Sequence, residues 1–114
     1  DEELTGSIPP EIGNLTNLTE LNLSNQTFTG SIPPEIGQLT NLTYLDLWGN
    51  ELTGEIPSEI GNLINLNELS LGENQLSGEI PPEVCDLIEN NNWISGWNME
   101  DSILEGNNLI NTCE

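Results

Sequence analysis

Apolar and polar residues alternate along the chain in a block that recurs four times without insertion. The blocks start at residues 7, 31, 55 and 79, 24 residues apart, and read SIPPEIGNLTNL, SIPPEIGQLTNL, EIPSEIGNLINL and EIPPEVCDLIEN. The full register is L-x-x-L-x-L-x-x-N-x-L-x-G-x-I-P-x-x-I-G-x-L-x-x. A fixed period of this length is typical of a solenoid, in which each repeat packs only against its neighbours.

Each repeat predicts one short strand followed by one short helical turn. The triplets at 21–23, 45–47 and 69–71 have the form Leu-x-Leu, which indicates a strand with one buried face. One such strand per repeat would stack in parallel, about 4.8 Å from the next. The Ile-Pro step forces extended backbone, and the PPEIG segment that follows has room only for a short helical turn.

An amide residue follows each predicted strand at a fixed offset. These residues are Gln26, Asn50 and Asn74, and Asn107 has the same place in the ILEGNNL segment at 103–109. A buried amide can donate to and accept from the backbone of neighbouring turns. We expect the four side chains to form a polar ladder inside the solenoid, with room found for the extra methylene of Gln26.

Both ends of the chain depart from the period. We assign residues 1–90 to the repeats, of which the first is incomplete, and residues 91–114 to a C-terminal capping region. There, Trp93, Trp97 and Met99 are suited to covering the open end, and the ILEGNNL segment predicts one more strand. At the start, we expect an apolar end to be left uncovered, formed by Leu4, Ile8, Ile12, Leu15 and Leu18.

The charge balance limits the possible partners. The chain has 20 acidic residues and no Lys, Arg or His, which gives a formal net charge of −20. Because nothing can neutralise a phosphate, nucleic acid and anionic membranes are excluded as partners. No apolar run is long enough to insert across a bilayer. We predict no enzyme and no catalytic residues, because the chain offers neither a His base nor a cationic group for an oxyanion.

The two cysteines, Cys85 and Cys113, both lie in the last third of the chain. An even pair at the end of a repeat array indicates a capping disulfide formed in an oxidising compartment. This interpretation predicts an extracellular or secreted protein. The alternative is two free buried thiols.

The string LTGSIPPEIGNLTNL at 4–18 resembles the repeats of plant-type leucine-rich-repeat proteins, such as receptor-kinase ectodomains and polygalacturonase-inhibiting proteins. The resemblance covers residues 1–90. It implies a right-handed leucine-rich-repeat solenoid with a concave parallel sheet, short helical turns on the convex side and a second short sheet near the L-x-G-x-I-P segment. It also implies an extracellular protein that binds proteins, peptides or glycans.

The exposed positions of the concave strands are the candidate ligand-binding residues. Tyr44 and Trp48 are of the types favoured at interfaces, and aromatic rings flanked by carboxylates suit a cationic partner. The alternative is that these two aromatics only pack over one another. The full candidate set is Glu20, Asn22, Tyr44, Asp46, Trp48, Glu68, Ser70 and Glu73.

A column of carboxylates could bind cations, and a set of sequons could carry glycans. A column of carboxylates repeats at one offset, at Glu11, Glu35, Glu59 and Glu83. No loop has the spacing of a dedicated calcium site, so we expect no metal site and no cofactor, with calcium or another divalent cation at most a diffuse counterion. N-glycosylation sequons occur at Asn14, Asn17, Asn22, Asn25 and Asn41. Several of them follow directly from the N-L-T-N-L-T sequence of the repeat, so their number is weak evidence for glycosylation.

Three functions compete on these observations. The one we expect is a structural or self-assembling role, in which solenoids stack head to tail through the incomplete first repeat and the extra C-terminal strand. The second is a recognition module that binds a protein or peptide ligand on the concave face. The third, inhibition of an enzyme, follows only from the resemblance to the plant inhibitors.

Overall fold

The computed structural model describes residues 5–90, 93 and 97–113. Along this part of the chain each of the first three helical turns is followed by two strands, and the strands form two parallel sheets. The strands are β1 (Thr5–Ser7), β2 (Glu20–Asn22), β3 (Thr27–Ser31), β4 (Tyr44–Asp46), β5 (Glu51–Gly54), β6 (Glu68–Ser70), β7 (Gln75–Glu79) and β8 (Asn108–Ile110). The helical segments are three 3-10 helices (Pro10–Asn14, Pro34–Gln38 and Ser58–Asn62), α1 (Pro82–Asn90) and a π-helix (Glu100–Leu104).

The expected solenoid is confirmed, with one strand of each sheet in each complete repeat. The three-stranded sheet has the order β2-β4-β6, and the five-stranded sheet has the order β1-β3-β5-β7-β8. The second sheet, which the resemblance implied would be short, is therefore the larger of the two. The ILEGNNL segment does supply a further strand, β8, and this strand joins the five-stranded sheet by pairing with β7.

Each strand of the three-stranded sheet begins one residue before the predicted Leu-x-Leu triplet. The ladder pairs Leu21 with Leu45 and Leu45 with Leu69. The second leucine of the triplet still donates across the sheet, since the amide of Leu23 bonds the carbonyl of Asp46 at 2.8 Å. The backbone then turns through a left-handed residue, Asn25 with φ 57° or Gly49 with φ 76°, which ends the strand.

The leucines and isoleucines of the repeat form the core. At the consensus positions of the two middle repeats these side chains are buried, and Ile36, Leu45 and Leu69 have no exposed surface. The first repeat is more open, because Leu15 keeps 51 % of its surface exposed. Leu4, which we assigned to the same uncovered end, lies outside the described residues.

A column of glycines allows the helical turns to stack closely. A β-carbon added at Gly37 would lie 2.6 Å from the carbonyl oxygen of Glu59, and one at Gly61 would lie 2.7 Å from the Glu83 β-carbon. The same position in the last repeat is Cys85, which is disulfide-bonded to Cys113 with a Cα–Cα distance of 5.4 Å. The column thus has glycine where another repeat follows and a cysteine where the stack ends.

The helical segment of the fourth block, α1, differs from the predicted short turn. α1 runs for nine residues as a regular α-helix and buries Val84, Cys85 and Leu87. The three earlier turns are tight 3-10 helices of five residues each. Two sequence changes separate α1 from them: Cys85 replaces the glycine, and the following residues continue an apolar face instead of turning back into a strand.

Candidate functional site

The interior amide residues hold adjacent repeats together and leave the sheet faces to other side chains. The Asn50 side chain accepts from the amide of Phe28 at 3.1 Å and donates to the carbonyls of Leu23 at 2.9 Å and Leu47 at 3.1 Å. Asn74 makes the equivalent hydrogen bonds one repeat further along the solenoid, and Asn107 makes them two repeats further along. Gln26 Nε2 donates at 3.2 Å to the carbonyl of Ser24, two residues before it, as Asn74 Nδ2 does to the carbonyl of Gly72 at 3.1 Å.

The outer face of the three-stranded sheet brings the candidate ligand-binding residues into rows. One row runs Glu20, Tyr44 and Glu68, because these residues are paired across β2, β4 and β6. The next row runs Asn22, Asp46 and Ser70. Alternate residues of a strand share a face, so Tyr44, Asp46 and Trp48 also lie along one line.

Tyr44 is held at the centre of this face by a single short hydrogen bond. Its hydroxyl donates to Asp46 Oδ2 at 2.6 Å. Burial raises the pKa of the Tyr44 hydroxyl well above its ordinary value, and the hydrogen bond to Asp46 and the charges of Asp46, Glu68 and Glu20 add to the rise. Tyr44 therefore remains a neutral hydrogen-bond donor under ordinary conditions.

Trp48 lies on the backbone of the next repeat. A β-carbon added at Gly72 would collide with the six-membered ring of Trp48, so the indole occupies the space that any other residue at 72 would fill. The ring remains partly exposed. Trp48 is thus fixed by shape while part of its ring stays exposed, and Gly72 leaves the space that the ring occupies.

Two candidates in the second row are engaged with their own strand. Asp46 Oδ1 accepts from the amide of Trp48 at 3.0 Å, and Asn22 Oδ1 accepts from the amide of Ser24 at 3.0 Å. These side chains fix the turn at the end of the strand. Asp46 is best described as a positioning residue, because it holds both the Tyr44 hydroxyl and the Trp48 backbone.

Glu73 lies apart from these rows. Its backbone is left-handed with φ 54°, and its amide donates to the carbonyl of Glu105 at 2.7 Å. Its carboxylate carbon lies 2.7 Å from where a β-carbon would be at Gly106. Glu73 therefore covers the junction with the C-terminal region, and the remaining face is centred on Tyr44 and Trp48.

The capping region closes the C-terminal edge of the three-stranded sheet. The indole of Trp97 donates to the carbonyl of Leu69 at 2.8 Å. The carbonyl of Ser102 accepts from the amides of Leu71 at 2.7 Å and Gly72 at 3.0 Å. These contacts occupy backbone groups that a further strand would otherwise pair with, so the sheet does not present a free edge at this side.

The other predicted sites lie on the surface. The five sequon asparagines are all exposed, and Asn41 Nδ2 donates to the carbonyl of Thr16 at 3.0 Å. Asn65 makes the equivalent bond to Thr40 at 2.9 Å, which gives an outer amide ladder that sequence analysis missed although the period displays it.

In the part of the chain described, no cluster of three or more acidic or cysteine ligands could hold a metal ion. Within the same residues, no helix has the length and apolar character needed to cross a membrane.

Comparison with known proteins identifies the repeats. The family model described as leucine rich repeats (2 copies) matches residues 16–57 and 40–83, which together cover more than half of the chain. A search of curated protein sequences gives no significant match.

Several solved structures share the fold. The BIR3–SERK2 complex from Arabidopsis thaliana matches with 39% identity and a TM-score of 0.78, over 95% of this chain and 52% of that chain. The plant peptide hormone receptor RGFR1 in complex with RGF2 matches with 45% identity and a TM-score of 0.72, over 75% of this chain and 14% of that chain. A plant ice-binding protein matches with 34% identity and a TM-score of 0.76, over 96% of this chain and 33% of that chain. The present chain thus spans about half the length of the first of these structures and less of the others.

Proposed function

The chain belongs to the leucine-rich-repeat family, and from that premise we propose that it is an extracellular recognition module whose three-stranded sheet binds a protein or peptide partner. The observation that carries the proposal is the pair of positioned aromatics on the outer face. Tyr44 is held by Asp46, and Trp48 rests on Gly72, so neither ring has to be ordered when a partner binds. Rigid aromatic anchors at the centre of a face are typical of binding hot spots.

The comparisons support the same class of function. A hormone peptide occupies the RGFR1 structure, and BIR3 is in complex with SERK2 in the other. Both are similar to this chain at more than a third of aligned positions. The Cys85–Cys113 disulfide is in keeping with an oxidising compartment outside the cell.

Selection from a random peptide library, displayed on phage and panned against the intact chain, tests the proposal. We expect selected peptides to lose affinity for Trp48→Ala by about tenfold or more, as for a hot-spot residue. Ile64→Ala is the matched control, because Ile64 is another large apolar side chain and is 68% exposed outside the three-stranded sheet. Peptides that bind Trp48→Ala as well as the wild type would contradict the proposal.

Binding to ice is a second candidate, favoured by one observation on the five-stranded sheet. Its outer face carries exposed, uncharged hydroxyl residues in register, with Ser7 opposite Thr29 and Ser31 opposite Thr53. Glu51 interrupts the first of these rows. An ice-recrystallisation assay compares the wild type with Thr29→Tyr/Thr53→Tyr: inhibition that the double variant abolishes would favour this function, and no inhibition by the wild type would exclude it.

Head-to-tail association, which we expected from the sequence, stays a prediction, and fewer surfaces of the chain can mediate it. The contacts of Trp97 and Ser102 occupy one edge of the three-stranded sheet. Association would then have to use the five-stranded sheet, in which β8 is the last strand. Light scattering at micromolar concentration decides it, and Ile110→Lys, at a residue 58% exposed on β8, should dissociate any such assembly.

A further inference from the structure

We propose that the partner presents a cationic side chain to the three-stranded sheet: an arginine from an extended peptide segment, lying over Tyr44 and between the carboxylates of Glu20 and Glu68. Trp48 then packs against the neighbouring part of the same segment. This inference rests on the proposed function and names the chemical class of its ligand.

The row formed by Glu20, Tyr44 and Glu68 has the spacing that such a group needs. The three residues are direct neighbours across β2, β4 and β6, so the two glutamates lie on the strands either side of Tyr44, and the charges of both act on its hydroxyl. Their backbones are two strand spacings apart, about 9–10 Å. A guanidinium is planar and carries five N–H donors, and it can therefore donate to a carboxylate on each side while its face lies on the ring.

The chain cannot satisfy these carboxylates by itself. It contains no Lys, Arg or His, so neither Glu20 nor Glu68 has a cationic side chain available within the molecule. Asp46 differs, because its two oxygens already accept from Tyr44 and Trp48. A cationic side chain at this site can therefore come only from another molecule.

The central ring is prepared for a cation. Tyr44 keeps its hydroxyl proton, since burial and the surrounding carboxylates raise the pKa of this group, and its hydroxyl points to Asp46. Cations are attracted to the face of an aromatic ring, more strongly where water is partly excluded. Tyr44 is the sole tyrosine of the chain, and Trp93 and Trp97 belong to the capping region, so this combination of ring and flanking carboxylates does not recur along the repeats.

General attraction between a polycation and a chain of net charge −20 has to be separated from this site. The probe is a twelve-residue peptide of alternating arginine and glycine, compared by titration calorimetry with the same peptide carrying neutral citrulline. Glu20→Gln/Glu68→Gln removes two charges from the sheet. Glu11→Gln/Glu59→Gln removes two exposed charges from the helical turns and is the matched control.

We expect the sheet variant to weaken binding of the arginine peptide about tenfold or more, and the control variant to weaken it less than about twofold. The citrulline peptide should bind the wild type and both variants equally weakly. Equal losses in the two variants would overturn the inference, because they would show diffuse attraction only. Melting curves check that each variant is folded.

The peptide selection described above separates failure of this inference from failure of the proposed function. If neutral or acidic peptides are selected and lose affinity for Trp48→Ala, the sheet is a recognition surface and the cationic ligand is wrong. If no peptide of any composition depends on Trp48, both proposals fail. If the selected peptides are rich in arginine and depend on both Trp48 and Glu68, both stand.

Discussion

The interior of the solenoid and the outer face of its three-stranded sheet are built from the same strands but follow different rules. Inside, leucine recurs at 21, 45 and 69, and Asn50 and Asn74 make the same set of hydrogen bonds. Outside, one row changes from Glu20 to Tyr44 to Glu68. Residues that must fit the next repeat are constant, whereas the outward-facing residues of this row differ from one repeat to the next.

The glycine column shows the same rule at the end of the stack. Gly37 and Gly61 have no room for a side chain because the next helical turn lies against them. Cys85 has the same place in the last repeat, and Cys113 bonds to it. The identity of each residue therefore depends on what lies beside it in the stack.

If interior residues hold the repeats together, the largest loss of stability should follow a substitution at Asn50. Asn50→Ala removes the acceptor for Phe28 and the donor for Leu23 and Leu47, which leaves buried backbone groups without partners. We expect a loss of about 3–5 kcal/mol in the free energy of unfolding, measured by urea denaturation.

Asn62→Ala is the control for that experiment. Asn62 is an exposed asparagine in the helical turn of the same repeat region and should change stability by less than about 0.5 kcal/mol. Asn25 is unsuitable, because its left-handed backbone penalises alanine for a separate reason. Similar losses at Asn50 and Asn62 would show that the interior amides are not special.

The disulfide predicts the next effect. Cys85 and Cys113 are 28 residues apart, and closing a loop of this length stabilises a fold by roughly 3–4 kcal/mol in the chain-entropy model. Cys85→Ala/Cys113→Ala should therefore lower the denaturation midpoint strongly without weakening peptide binding. A double variant as stable as the wild type would mean that the cap is held by Trp97 and the β7–β8 pairing alone.

A face residue should affect binding far more than stability. Trp48→Ala removes a ring that is only partly buried, so we expect a loss of about 1–2 kcal/mol in stability, well below that of a core tryptophan. Gly72→Ala, which fills the space beneath the ring, should displace Trp48 and reduce peptide binding in the same way. Normal binding by Gly72→Ala would show that the position of the ring is unimportant.

The smallest predicted effect is a dependence of stability on pH that comes from the Tyr44 hydroxyl. The pKa of Tyr44 is raised in the folded state, so above the ordinary tyrosine pKa of about 10 the unfolded chain loses this proton first. The unfolded state then binds fewer protons than the folded state, and stability must fall as pH rises. With no Lys, Arg or second Tyr in the chain, Tyr44→Phe should remove this decline in melting temperature between pH 9 and about 11. An identical decline in Tyr44→Phe would refute the assignment.

The interior was predictable from the sequence because the period itself encodes it. Recurring leucines and the amide at a fixed offset can be satisfied in one way only, by stacking identical turns. The strands begin one residue early, and α1 is longer than expected, because strand and helix ends depend on hydrogen bonds that the period does not specify.

The candidate site was predictable in its location but not in its geometry. Tyr44 and Trp48 stand out as aromatics at outward positions of a strand. Nothing in the period indicates that Asp46 turns back to hold the Tyr44 hydroxyl, or that Gly72 lies beneath Trp48. The first contact lies within one strand and the second joins neighbouring repeats, and both depend on side-chain directions that become visible only in three dimensions.

We propose above all that recognition occurs on the three-stranded sheet. The most direct test is a titration of the ¹⁵N-labelled chain with a selected peptide, followed by backbone amide chemical shifts. We expect the largest shifts in β2, β4 and β6 and in the turns after them, at 20–25, 44–49 and 68–73, together with the indole N–H of Trp48. Shifts concentrated instead on the five-stranded sheet or on the helical turns would contradict it.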